Sequence, residues 1–352
     1  MKLNLKREDF KALKTQLINE NSFVVNAFKY ETGVEALEVS NGVISFIILP
    51  YEGQQIWRLK YMGREISMQD STVTIPVLSD TFGDCYTPFL MHCGISAMGV
   101  PQSDDNHPPH GELPMAVYDS AYLVYDKDDD GEYVLIGGIL DKTIENKHYL
   151  FNPEVKLYKN TGVLKVNINL KNINDIPLDY MYLCHLNFRP FNGAKLKYSA
   201  DYGKVKPYYL NTDDKRNNYY MLLENDPSIH NEVGNKYECY DPEMCLNVKF
   251  KGDENNYAYS LQYEEGVGAC YISHPINYLP EGLRWISRTK TVDAMGLVLP
   301  ATAEHLGRER AKRNGQIKVL QPNESISFTI ESGFLNNSEA LNVINKINEI
   351  ME

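Results

Sequence analysis

The sequence predicts an all-β chain, folded as a large antiparallel β-sandwich with short terminal helices. Three observations lead there. Short apolar or alternating runs recur along most of the chain, tight turns such as Asn41-Gly42 and Met62-Gly63 join consecutive runs into hairpins, and no helix-rich half or low-complexity linker interrupts them. Sandwiches often run long, so 352 residues are compatible with one domain. The expected organisation is a single domain over 1–352: a helical extension over 1–22, the sandwich over 23–335 and a C-terminal helix over 336–352.

In chain order, Leu5, Phe10, Leu13 and Leu17 lie near helical spacing and predict a short N-terminal packing helix. Strand character begins at Phe23, with hairpins formed by Ala36–Ser40 with Val43–Leu49 and by Gln55–Lys60 with Arg64–Ile66. Residues 71–114 lack regular pattern, and a loop that long inside a compact domain is usually functional. Strands follow at Ala116–Tyr118, Ala121–Tyr125, Tyr133–Ile139, Tyr149–Tyr158, Val163–Leu170 and Asp179–Phe188. The acidic turn Asp128-Asp129-Asp130-Gly131 lacks an EF-hand's alternation and its later Glu, and reads as a solvated hairpin tip. Residues 200–245 form a polar, tyrosine-rich excursion with short strands. Strands resume at Cys245–Phe250, Ala258–Tyr263, Ala269–Ser273 and Ala294–Val298, and Leu341, Val343, Ile344, Ile347 and Ile350 mark a terminal amphipathic helix.

The net charge of -12 argues against nucleic acid and anionic membrane surfaces as partners and favours a neutral or cationic small molecule. No apolar run approaches the roughly 20 residues of a spanning helix, and the first residues lack a signal peptide's apolar core, so a cytoplasmic protein is expected. Six scattered cysteines (Cys85, Cys93, Cys184, Cys239, Cys245 and Cys270) show no C-x-x-C spacing and read as reduced and mostly buried. Neither G-x-x-x-x-G-K-[ST] nor G-x-G-x-x-G occurs, so no nucleotide cofactor is expected. The oligomeric state is open, a homodimer being one option.

Chemistry concentrates in His107-Pro108-Pro109-His110-Gly111-Glu112-Leu113-Pro114. Proline fixes φ and removes a donor, so this is a stiff loop whose imidazoles lose little entropy on meeting a ligand. The bland reading makes both histidines strand caps. On the Asp179–Phe188 strand, alternation puts Met181, Leu183, His185 and Asn187 on one face and Tyr180, Tyr182, Cys184, Leu186 and Phe188 on the other. His185 beside a same-face Asn187 is therefore a ligand or acid candidate.

These residues carry a resemblance. Tyr51-Glu52-Gly53-Gln54-Gln55-Ile56-Trp57, His110-Gly111-Glu112-Leu113-Pro114, Cys184-His185-Leu186-Asn187-Phe188 and Asn192-Gly193-Ala194-Lys195-Leu196, then Leu283-Arg284-Trp285, Leu299-Pro300-Ala301-Thr302, Gly307-Arg308 and Val319–Glu324, together resemble the aldose 1-epimerase (galactose mutarotase) superfamily over about residues 35–335, closest to a divergent branch. The resemblance implies a galactose-mutarotase-like supersandwich with a sugar cleft across one sheet. It further implies a cofactor-free isomerase, with His110 binding substrate and His185 protonating the ring oxygen. The position matching the superfamily's basic glutamate holds Leu299.

Anomer interconversion needs a base at the C1 hydroxyl and an acid at the ring oxygen, so another carboxylate is required; Glu304 is the first choice, with Glu309 and Glu112 behind it. Solvated loop charges are the competing reading for Glu304 and Glu309. His107, Asn187, Glu112, Arg308, Arg284 and Trp285 are the candidate sugar contacts: arginines offer forked donors and the indole a stacking face, although Trp285 is equally suited to fill a core. Arg58, Asp84 and His92 are weaker candidates. Four functions remain: a mutarotase or related epimerase, a non-catalytic sugar-binding protein, a metal-dependent sugar isomerase using His107, His110, Glu112 and His185, and a lyase or hydrolase acting on a sugar derivative.

Overall fold

The alternating runs become two antiparallel sheets in the computed structural model, which describes residues 1–201, 206–207, 217–234 and 243–352. Nine strands form one sheet, in the order Lys2–Leu5, Ser120–Asp128, Gly131–Ile144, Lys147–Tyr158, Val163–Asn172, Ser325–Asn336, Gly268–Pro275, Tyr257–Glu264 and Lys195–Tyr198. The second sheet has fourteen. Its main path runs Lys206–Pro207, Met244–Val248, Glu281–Arg288, Val292–Ala301, Leu178–Leu186, Leu90–Ile95, Ile56–Tyr61, Ile44–Ile48, Glu35–Ser40, Phe23–Lys29 and Thr15–Glu20. The inward faces meet in one core, with Val25, Val39, Phe46 and Leu186 from the larger sheet and Leu123, Ile136, Val155 and Ile330 from the smaller fully buried. Each such side chain stabilises the fold by about 1.5–3 kcal/mol through water release.

The larger sheet has a second, outward cluster of Met91, Cys93, Met181, Leu183, Cys245, Leu283, Trp285 and Leu299. These side chains alternate along their strands with inward-facing ones, so the Leu178–Leu186 strand has the two faces the alternation predicts. The smaller sheet's outward face is covered by the helix Asn337–Met351, within the range expected for a C-terminal helix. Asn336 Oδ1 accepts from Glu339 N at 3.1 Å and Glu339 Oε2 accepts from Asn336 N at 2.9 Å, a reciprocal cap that fixes where the helix starts.

The N-terminal helix does not form. Lys2–Leu5 pairs with Ser120–Asp128 and Thr15–Glu20 pairs with Phe23–Lys29, so residues 1–22 contribute an edge strand to each sheet. Asn21 and Ser22 have φ of 48° and 81°, which suits a tight hairpin turn, and cross-strand pairing outweighs a weak helical spacing whose Leu13 is 84% exposed. The loop expected over 71–114 contains a central strand, Leu90–Ile95, buried at every position; a strand covered on both faces shows no alternation to read. Within the 200–245 excursion, Asn217–Asn225 is helical rather than strand. The acidic turn is a hairpin tip, where Asp128 accepts from Lys156 Nζ at 2.8 Å.

Cys85, Cys93, Cys184, Cys245 and Cys270 are buried, and Cys239 lies outside the described residues. No helix among the described residues is long and apolar enough to cross a membrane.

Candidate functional site

His185 is held by its own strand. Asn187 Nδ2 donates to Pro88 O at 2.9 Å, so its Oδ1 is the atom 2.8 Å from His185 Nδ1, and that nitrogen carries a proton. Nε2 is left as the unprotonated nitrogen of the neutral ring. Burial lowers the His185 pKa to about 4, despite the opposing pull of Asn187 on the charged form.

His110 arrives from the proline-rich loop, whose backbone is stitched to the end of the Leu90–Ile95 strand. His110 N donates to Gly99 O at 2.8 Å, Gly94 N to His110 O at 3.0 Å and Glu112 N to Gly94 O at 3.1 Å. The fit leaves no space for side chains: a Cβ on Gly111 would lie 2.1 Å from Ala97 O, and one on Gly99 would lie 2.1 Å from His305 O. So fixed, the His110 ring stacks on Phe82 at 5.1 Å and meets the His185 ring edge-on, centroids 5.3 Å apart and planes at 79°. Burial first, then His185, His305 and His107, drive the His110 pKa well below the usual histidine value.

Both rings open onto a cavity of about 300 Å³ on the outward face of the larger sheet. Trp285 and Tyr86 form its aromatic walls, with ring centroids 5.8 Å and 5.4 Å from that of His185. Glu243, His305, Gln102 and Arg310 supply the polar rim, and Cys245, Leu283, Val100 and Leu306 complete the lining. Trp285 Nε1 donates to Glu243 Oε2 at 2.6 Å. Burial, then Arg310, lowers the His305 pKa to about 4.

Of the residues singled out from sequence, His110, His185 and Trp285 come together here. Asn187 acts on His185 rather than lining the cavity. Glu304, the first choice for the base, lies off the wall, its carboxylate 3.7 Å from Arg310 Nε. Glu112 is consumed by the loop's own architecture, accepting from Ser96 N at 3.0 Å, Ser96 Oγ at 2.5 Å and Tyr149 OH at 2.7 Å. His107 and Arg308 line a separate cleft of about 270 Å³ together with Glu309, where Arg308 donates to Ser96 O at 2.6 Å and to Asp179 at 3.2 Å. Arg284 alternates with Leu283 and Trp285 and points to the opposite face, its Nε donating to Leu297 O at 3.0 Å and its guanidinium 4.4 Å above the Tyr198 ring.

The weaker candidates also lie elsewhere. His92 is sealed in the inner core against Tyr182 OH at 2.8 Å, Arg58 lies over the Trp57 ring, and Asp84 accepts from Ser79 Oγ. The four residues of the metal reading are not gathered, since His107 and Glu112 face away, and among the described residues no group of three His, Cys, Asp or Glu side chains is placed to hold a metal.

His305 and Glu243 escaped sequence reasoning for different reasons. His305 adjoins the Glu304 that the reading selected, and the turn presents its neighbour instead. Glu243 precedes a strand that joins the site only through the register Cys245 opposite Trp285, which no local pattern announces.

Two packed antiparallel sheets with an outward histidine cavity on the larger one define a galactose mutarotase-like fold. A candidate aldose 1-epimerase from Klebsiella pneumoniae superimposes with a TM-score of 0.84 at 17% identity, covering 100% of this chain and 96% of that one. Galactose mutarotase-like proteins from Clostridium acetobutylicum (TM-score 0.58, 13% identity, 93% and 99% covered) and Lactobacillus casei (0.52, 12%, 92% and 100%) share the architecture. At these identities the likeness is one of fold. The chain belongs to the family described as a domain of unknown function, DUF4432, which matches residues 31–333. No curated protein matches it.

Proposed function

We propose that the protein binds a free sugar in the His110–His185 cavity and interconverts its anomers by acid/base ring opening. The observation that carries this reading is the pair of orthogonal imidazoles, 5.3 Å apart on an aromatic-walled cavity, one of them with its Nδ1 proton pinned by Asn187. A pyranose presents apolar C–H faces and hydroxyl edges, which match the Trp285 and Tyr86 walls and the polar rim. His185 Nε2, once protonated, donates to the ring oxygen as the C1–O5 bond breaks, and takes that proton back when the rotated aldehyde recloses. His110 holds a neighbouring hydroxyl. A reducing, cytoplasmic setting would suit the buried cysteines.

Leu299 supports a second reading, sugar binding without turnover, because it is fully buried where the resemblance implies a carboxylate. NMR exchange or polarimetry with freshly dissolved hexoses separates the two. Acceleration of mutarotation that His185→Ala abolishes is expected; a bound sugar whose anomers equilibrate at the buffer rate would leave only the binding protein.

A further inference from the structure

Ring opening removes a proton from the C1 hydroxyl while another is delivered to the ring oxygen, so an acid alone is insufficient. The cavity offers an answer that the chain's own pattern hides. Leu299, apolar and sealed, pairs with Leu283 across the Glu281–Arg288 and Val292–Ala301 strands. Two residues further along the same face stands Trp285, and the strand on its other side, Met244–Val248, begins just after Glu243. The Trp285 indole N–H reaches back to Glu243 Oε2 at 2.6 Å, which orients a carboxylate on the wall that also carries His185.

We propose that Glu243 is the general base of this site, delivered from the neighbouring strand in place of a carboxylate at position 299. The inference rests on the anomer-exchange reading. Glu243 takes the proton of the C1 hydroxyl, the O–H pair becomes the C1=O1 double bond, and the C1–O5 pair moves to O5, which takes the proton of His185 Nε2. After rotation about C1–C2, neutral His185 recovers the proton from the O5 hydroxyl as O5 attacks C1, and the Glu243 carboxylic acid returns its proton to O1. Both groups end as they began, and no oxidant or reductant is needed.

Three competitors are weaker on geometry. Glu304 is turned toward Arg310, Glu112 is saturated by Ser96 and Tyr149, and Glu309 faces the separate cleft. The experiment compares anomer exchange, under saturating sugar, in wild type, Glu243→Gln, Glu304→Gln and Glu243→Ala with and without added formate. Glu243→Gln should lose about 10²–10⁴-fold in kcat, with sugar affinity read from Trp fluorescence within a few fold of wild type. Glu304→Gln should keep kcat within about twofold. Formate should restore part of the rate to Glu243→Ala, a readout that a merely structural carboxylate would not move. Wild-type turnover that survives in Glu243→Gln, or Glu243→Ala folded by circular dichroism yet deaf to formate, would overturn the assignment while leaving the anomer-exchange reading intact. A wild-type protein that binds sugar without accelerating exchange would overturn both.

Discussion

His92 and His185 sit on neighbouring strands, one residue out of step: His92 pairs with Cys184, and His185 with Met91. That single step sends one ring into the core between the sheets and the other to the outward cavity. Both are buried and both have pKa values pushed down by desolvation, to about 3 and about 4. Depth and a perturbed pKa therefore do not distinguish the two rings. The distinction lies in what remains for the second nitrogen: His92 Nε2 is walled in without a partner among the described residues, whereas the His185 ring lines a cavity shared with His110 and His305, the His110 ring centroid 5.3 Å from its own.

The contrast breaks most visibly on truncation. His185→Ala should cost about 10²–10⁴-fold in anomer exchange while shifting the melting temperature little, and His92→Ala should reverse the pattern, keeping turnover and losing on the order of 2 kcal/mol as a cavity opens and the Tyr182 hydroxyl loses its His92 partner. Paired kinetic and thermal measurements read both; equal kinetic losses would erase the distinction. A pH profile sharpens it next. If protonated His185 is the acid, its fraction grows as pH falls toward about 4, so the enzymatic rate should rise roughly tenfold per unit between pH 8 and 5, where an unperturbed histidine at ~6.5 would already level off.

Asn187→Ala, which removes the pin from Nδ1, should lower kcat by about 10–100-fold with a smaller change in sugar affinity, by analogy with second-layer partners elsewhere. Asn187→Asp should instead move the rise in the pH profile upward, because a carboxylate beside Nδ1 favours the imidazolium. Stability reads the same buried rings without reference to turnover. The folded pKa values of His92, His185 and His274 lie below the unfolded value, so their contribution is complete above pH ~6.5 and is lost as pH falls toward their folded values. Melting curves should show this decline, at roughly 1 kcal/mol per unit for each buried ring. His274→Phe, replacing a ring packed 5.1 Å from Phe250 with neither nitrogen bonded among the described residues, should flatten it.

Much of the sandwich was legible because hairpin strands with one face in the core write their alternation plainly, as Tyr149–Tyr158 and Val163–Leu170 do. Leu90–Ile95 was not, since a strand covered on both sides has nothing to alternate, and Thr15–Glu20 was not, since its pairing partner rather than its own spacing decides its state. At the cavity, His110 and His185 stood out through a proline-stiffened loop and a same-face asparagine. Glu112 and Arg284 misled because a polar side chain in a suggestive motif does not disclose whom it already serves. Glu243 required a cross-strand register that only the assembled sheet contains.

The glycines beneath the His110 loop carry a consequence for how this region tolerates change. At Gly111 and Gly99 the obstacle to a methyl group is the carbonyl of another chain segment, Ala97 or His305, and not a side chain that could be trimmed. A suppressor screen begun from Gly111→Ala should therefore come back empty of second-site revertants, leaving true reversion as the only way home.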